Sequence, residues 1–163
     1  DTVADARAAG PDHDWQLDLA VLEPPADATP QEAEDFLPEP PLVIGDEARL
    51  RQVIVNLLAN DRVHTPAGSH VTTTLTREGD ALMVRIHDDG PGIAPDVRDR
   101  LFERFARGDS SRERRTGSTG LGMSIAQAIV QSHGGSIDVD SSTAPEDHGT
   151  TFTVRLPAAV VEE

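Results

Sequence analysis

The chain contains no cysteine, which excludes a disulfide framework, a thiol nucleophile and a thiolate zinc site. It contains no lysine either: all fourteen basic residues are arginine, and a codon bias toward Arg, Ala and Pro accounts for that usage. The chemical consequence stands whatever the cause. A phosphate-binding loop of the Gly-Lys-Ser/Thr kind is ruled out, so a nucleoside triphosphate would have to be held another way. Aromatic residues are 3% of the chain, so the core must be built from Val, Leu, Ile and Ala. No apolar run approaches the ~20 residues that span a bilayer. The opening DTVADARAAGPDHD is polar and acidic and lacks a signal-peptide pattern. A formal net charge of −15 speaks against nonspecific nucleic-acid binding, which needs basic residues to displace counterions. Neither nucleic acid nor direct membrane contact is therefore expected.

What is present fits one domain, since 163 residues suffice for a single core. Trp15 to Val21 alternates as a strand, and residues 23–41, rich in Pro and acid, read as a loop. Gly45-Asp46 opens a helix with Asp46 as N-cap. Leu50, Val53, Ile54, Leu57 and Leu58 recur at helical spacing until Thr65-Pro66 ends it. His70–Arg77 and Leu82–Asp88 alternate as strands joined by a turn at Glu78-Gly79-Asp80. Asp96–Phe105 reads as a short helix, 107–119 as a polar segment, and a further helix runs from near Leu121 to His133-Gly134-Gly135. Two last strands, Ser136–Asp140 and Thr150–Leu156, flank a loop. The order predicts an α+β fold, a two-layer sandwich with a mixed sheet covered on one face by helices.

Four segments carry chemistry. In NLLANDRVHTP (56–66), Asn56 and Asn60 are four apart, so both amides share a helix face. Amides are costly to bury without partners, so they form either an exposed polar stripe or part of a site. In DDGPGI (88–93) an acid at a strand end leads into Gly90 and Gly92, residues that let a ligand approach backbone, or that simply make a turn. In GSTGLGM (117–123) small residues lead into a helix whose first amides can hold an anion; a flexible linker has the same composition. GTTFTVRLP (149–157) is a glycine turn opening an alternating strand.

Together and in this order, these segments resemble the N, G1, G2 and terminal-strand signatures of the ATP-binding domain of bacterial sensor histidine kinases, a branch of the gyrase, chaperone and MutL ATPase superfamily. LFERFARGDSSR (101–112) is similar to that branch's F box. The resemblance covers roughly 42–157, with 1–41 expected as part of the same domain and 158–163 as a tail. It implies ATP and Mg²⁺ as cofactors, with Asn60 as the metal-ligating residue and Asp88 as the acid that reads the adenine amino group. It also implies Thr151 as the threonine supporting that acid. Gly90, Gly92 and Ile93 would line the base pocket, with His64 beside the nucleotide. Gly117, Thr119, Gly120, Leu121 and Gly122 would wrap the phosphates, and Phe102 and Phe105 would anchor a lid over 107–119 that orders only with nucleotide.

Asn56 stands where the hydrolytic branches place a glutamate base. An amide cannot take a proton at neutral pH, so the resemblance implies slow hydrolysis and delivery of the γ-phosphoryl group to another nucleophile, with catalysis mostly by positioning. That nucleophile would be a histidine on a separate dimerisation domain, with a response regulator as indirect partner. No histidine of this chain has the acceptor context, and a place in the cytoplasmic portion of a membrane-anchored sensor is expected. The chain departs from the family in a long 23–41 segment, in Arg62-Val63, and in Asp61, where a small residue, usually Ala, is usual. Asp61 is expected to be partly buried, to lean toward the triphosphate, or to pair with an arginine.

Overall fold

The computed structural model describes residues 2–38, 41–102 and 122–159. Five strands form one mixed sheet: β1 (Asp14–Asp18), β2 (His70–Glu78), β3 (Ala81–Asp88), β4 (Ser136–Ala144) and β5 (Asp147–Pro157), in the order β1-β2-β3-β5-β4. β1 runs parallel to β2, and the other pairs are antiparallel. Two long helices, α3 (Glu47–His64) and α5 (Gly122–Ser132), lie side by side on one face. There Val53, Leu57, Leu58, Met123, Ala126 and Val130 meet Val71, Ile86, Phe152, Val154 and Ile137 from the sheet. The strands alternate, so the opposite face carries Thr72, Thr74, Arg85, His87, Thr151, Thr153 and Arg155. This is the two-layer α+β sandwich expected from the sequence.

Local chemistry accounts for the elements that hold the site. Asp46 caps α3 by accepting from the Arg49 amide at 3.1 Å, a bond that satisfies one of the helix's four orphan donors. At the other end the Thr65 amide donates to the Asp61 carbonyl, and Pro66 prevents continuation. α5 closes through the Gly135 amide bonding back to Val130 at 3.0 Å.

The N-terminal part differs from its sequence reading. Residues Thr2–Ala9 form a helix, α1, whose Val3 and Ala6 reach the core; two inward residues in eight leave too weak a periodicity to see. β1 ends at Asp18, and a short 3-10 turn, Ala20–Leu22, replaces the expected run to Val21. Within the proline-rich 23–41 segment sits α2 (Pro30–Glu34), started by a reciprocal capping box. The Glu32 carboxylate accepts from the Thr29 amide at 2.7 Å, and the Thr29 hydroxyl accepts from the Glu32 amide at 3.3 Å. The helix expected over 96–105 is shorter: α4 is Pro95–Arg98, and residues 103–121 lie outside the described residues. The supposed loop between the last strands is a hairpin, because β4 continues to Ala144 and β5 begins at Asp147. Its outer rungs are exposed on both faces, so no apolar alternation marked them.

Candidate functional site

A single row of side chains crosses the sheet on its helix-covered face. Val71 on β2 pairs with Asp88 on β3, Asp88 with Thr150 on β5, and Thr150 with Ser141 on β4. Asp88 and Thr150 are each only 2% exposed. They form the floor of a pocket, with Phe152 one rung further in. Asn60, Asp61, His64 and Thr65, at the end of α3, form one wall; Pro91, Gly92 and Ile93 form the other. The structure thus brings together Asn60, His64, Asp88, Gly92 and Ile93, residues separated by up to 33 positions in the sequence.

The glycines of the loop after β3 have steric reasons. Gly92 has φ +82°, and a Cβ there would collide with the Ser142 carbonyl. A Cβ on Gly90 would lie 2.6 Å from the Thr65 methyl and 3.0 Å from the Asp88 carboxylate, which is already accepting from the Gly90 amide at 3.0 Å. This bond holds Asp88 in an orientation fixed by its own loop. His148 bonds the Gly90 carbonyl through Nδ1 at 2.6 Å, and His13 Nε2 bonds the Thr65 hydroxyl at 2.8 Å; both brace the pocket walls from outside.

Thr151 is not in the pocket. It lies on the opposite face of the sheet, where its hydroxyl meets His87 Nδ1 at 2.8 Å, and Thr150 holds the inward position. The one-residue difference follows from strand parity: Phe152 and Val154 point into the core, so Thr150 must and Thr151 cannot. Alternation with Phe152 was the signal in the sequence that could have chosen correctly between two adjacent threonines.

Asn56 lies one turn before Asn60 and outside the pocket. Its amide accepts from Gln52 at 2.6 Å and donates to the Gly122 carbonyl at 3.0 Å, tying α3 to the first residue of α5. Gly122 packs against that amide. Gly117, Thr119, Gly120 and Leu121, together with Phe105 and the 107–119 segment, lie outside the described residues. Phe102 packs against the core.

Asp61 is the residue whose role the sequence left open. It is buried, 1% exposed, and among the described residues the neighbour acting on it is the carboxyl of Asp88 rather than an arginine. Burial raises its pKa well above the usual carboxylate range, and the charge of Asp88 and a hydrogen bond to it push the same way. Its Oδ2 is buried and receives no hydrogen bond from the protein among the described residues. Two adjacent buried carboxyls cannot both ionise cheaply, so burial and the charge of Asp88 both favour the neutral form of Asp61. Asp88 is left as an acceptor toward the pocket.

Among the described residues no three acidic or histidine side chains converge as a metal cage. Asn60 contributes one amide oxygen beside the pocket. That donor set suits Mg²⁺, which takes one or two protein oxygens and completes its shell with water and substrate phosphates. No helix among the described residues is long and apolar enough to cross a membrane.

Comparison with known proteins agrees with this geometry. Residues 45–160 match the family model described as histidine kinase-, DNA gyrase B- and HSP90-like ATPase. The chain is 47% identical over 157 residues to the probable sensor histidine kinase TcrY of Mycobacterium tuberculosis, covering 96% of this chain and 29% of that protein. It is 38% identical over 160 residues to the sensor histidine kinase TrcS of the same organism, covering 95% of this chain and 27% of that protein. It therefore spans less than a third of these relatives. Among solved structures, the mycobacterial sensor histidine kinase MprB superposes with a TM-score of 0.71 at 25% identity, covering 98% of this chain and 93% of that one. The catalytic domain of histidine kinase ThkA shares the fold, with a TM-score of 0.67 at 20% identity and coverage of 96% and 92%. The chain belongs to the histidine kinase-, DNA gyrase B- and HSP90-like ATPase family, within the ATP-binding catalytic domains of sensor histidine kinases.

Proposed function

We propose that the domain binds Mg²⁺-ATP and delivers its γ-phosphoryl group to a histidine on a separate dimerisation domain of the same kinase, from which a response regulator is charged. The observation that carries this reading is the meeting of Asp88 and Asn60 at one pocket, from β3 and α3. A carboxylate 2% exposed and oriented by the Gly90 amide is an acceptor suited to an exocyclic amine. Thr150 sits beside it, and His64 and Ile93 flank the base. Asn60 would hold Mg²⁺, which supplies charge neutralisation on the phosphates when bound. Gly122, at the start of α5, would hold the phosphates together with Gly117, Thr119, Gly120 and Leu121 of the same motif.

Asn56 supplies no proton acceptor. Its amide is taken up between Gln52 and Gly122, so it fixes the start of α5 instead of activating water. A domain built this way holds the terminal phosphoryl group for an incoming imidazole and hydrolyses slowly. Residues 1–41 act as part of this same domain, 42–157 as its nucleotide-binding body and 158–163 as a tail. The parent protein places it on the cytoplasmic side of a membrane.

Calorimetry with a non-hydrolysable ATP analogue, with and without Mg²⁺, tests the binding half; absence of Mg²⁺-dependent binding removes the proposal. Labelled ATP tests the transfer half. Label should pass to a supplied cognate dimerisation domain and not to the chain alone, and stable labelling of the chain itself would point to a different kinase chemistry. A second reading, a nucleotide-binding module with weak or lost catalysis, is favoured by one observation, the Asp61 carboxyl beside Asp88. It predicts binding without transfer in the same assay.

A further inference from the structure

Ser141 belongs to none of the motifs above, yet it closes the row that runs from Val71 through Asp88 and Thr150. Its hydroxyl has three partners. The Ile93 amide donates to it at 2.7 Å, the Gly149 carbonyl lies at 3.1 Å, and the Thr150 hydroxyl lies at 2.8 Å. A serine hydroxyl has one proton to give and two lone pairs to receive with. The Ile93 N–H can only donate and the Gly149 carbonyl can only accept. One assignment satisfies all three contacts: Ser141 gives its proton to Gly149 and receives from both Ile93 and Thr150.

The consequence falls on Thr150. With its proton directed at Ser141, the Thr150 oxygen is left with lone pairs only, and Thr150 lines the pocket as the cross-strand partner of Asp88. The Asp88 carboxylate is also an acceptor. Among the described residues the pocket floor therefore presents two neighbouring side-chain acceptors and no side-chain donor. That pattern complements an amino group, or a water that donates, and opposes a carbonyl oxygen.

We propose that Ser141 is a positioning residue for the nucleotide base, setting the hydrogen-bond polarity of Thr150 so that the pocket selects a 6-amino purine over a 6-oxo purine. The proposal rests on the nucleotide-binding reading of the same pocket. It also gives Ser141 a second task, since the Ile93 amide it receives anchors the loop that carries Gly92.

ADP and IDP differ only at the 6-position and the proton on N1, so their affinity ratio reads this polarity directly. Calorimetric titration of the wild-type chain with each, in Mg²⁺, should favour ADP by more than about tenfold, as expected where buried acceptors would be left facing an acceptor. Ser141→Ala frees the Thr150 hydroxyl to rotate and donate. It should shrink the ratio by about fivefold, the factor one hydrogen bond makes in an equilibrium constant. Ser141→Thr keeps the hydroxyl and should restore the wild-type ratio. Loss of packing alone would weaken both nucleotides together, and an unchanged ratio in Ser141→Ala overturns the proposal while leaving nucleotide binding intact. Thr150→Val removes the acceptor at the other end of the same bond and should shrink the ratio too; if Ser141→Ala does not fold, an unchanged ratio in Thr150→Val is equally fatal. Failure of the wild-type chain to bind ADP at all overturns both this proposal and the reading beneath it.

Discussion

The buried carboxyls of Asp61, next to Asn60 on α3, and of Asp88, at the end of β3, line one pocket, and the charge of Asp88 helps raise the pKa of Asp61. An acid is thus buried beside the residue proposed to read the base. Such a pair is tolerable only with a proton on it, and the proton makes the arrangement sensitive to pH.

The sign follows from Asp61's raised pKa. Below its ordinary value of 3.8, folded and unfolded chains are both protonated there and the acid costs no ionisation energy. Above that value the unfolded chain releases a proton that the folded one keeps. Stability then falls by up to about 1.4 kcal/mol per pH unit until Asp61 ionises in the fold. Asp61→Ala removes this slope together with some packing. Melting curves of the variant and the wild type should therefore cross, the variant less stable near pH 4 and more stable by a few degrees near pH 8. Parallel curves across that range would mean that Asp61 does not carry the proton.

Asp88→Asn tests the other member of the pair. The asparagine can keep its oxygen on the Gly90 amide, which leaves its NH₂ in place of the second carboxylate oxygen. A donor would then face the adenine amine. ADP affinity should fall by about 1–3 kcal/mol, with little change in melting temperature at neutral pH. Equal affinity by calorimetry would remove Asp88 from the base-reading role.

The body of the fold was legible because its signals are local and strong. α3 carried a cap, a five-residue apolar stripe and a proline stop, and β2 and β3 carried a period of two around a glycine turn. Asp88, Asn60 and Gly92 were singled out together because their motifs occur in order, and they line one pocket. What escaped depended on parity or on a distant partner. Thr150 and Thr151 differ by one residue in a strand, and only the inward direction of Phe152 separates them. Ser141 and His148 act through Ile93, Gly149, Thr150 and Gly90, residues 8 to 58 positions away. Asp61 was visible as an oddity, but its partner lies 27 residues on, and no pattern along the chain joins them.

Residues 1–41 offer a stability test of whether they belong to the nucleotide-binding body. Trp15, the one tryptophan of the chain, is 3% exposed within the core and donates Nε1–H to the Gly10 carbonyl at 2.8 Å. Arg7 reaches from α1 to the Trp15 carbonyl at 2.8 Å. Trp15→Ala should cost about 3–5 kcal/mol, a drop of roughly ten degrees at the 2–4 °C per kcal/mol of a domain this size. A change of a degree or two would show the N-terminal segment to be an appendage.

Gly92→Ala separates the pocket wall from the rest of the fold. At φ +82° an alanine pays about 1–2 kcal/mol for the left-handed conformation alone. Its Cβ must also clear the Ser142 carbonyl. The loop can escape this only by moving away from β4, and that movement breaks the 2.7 Å bond from the Ile93 amide to Ser141. Pro91, Gly92 and Ile93 form one wall of the pocket, so the shift widens the site at the place where a base would be clasped. The core residues beneath, Ile86 and Phe152, stay packed by α3 and α5. The expected result is a nucleotide affinity lowered by tenfold or more, about 1.4 kcal/mol, with a melting temperature that falls by only a few degrees. Affinity within twofold of wild type, measured by titration with ADP and Mg²⁺, would show that the loop adapts without opening the pocket and that the glycine is needed only for the turn.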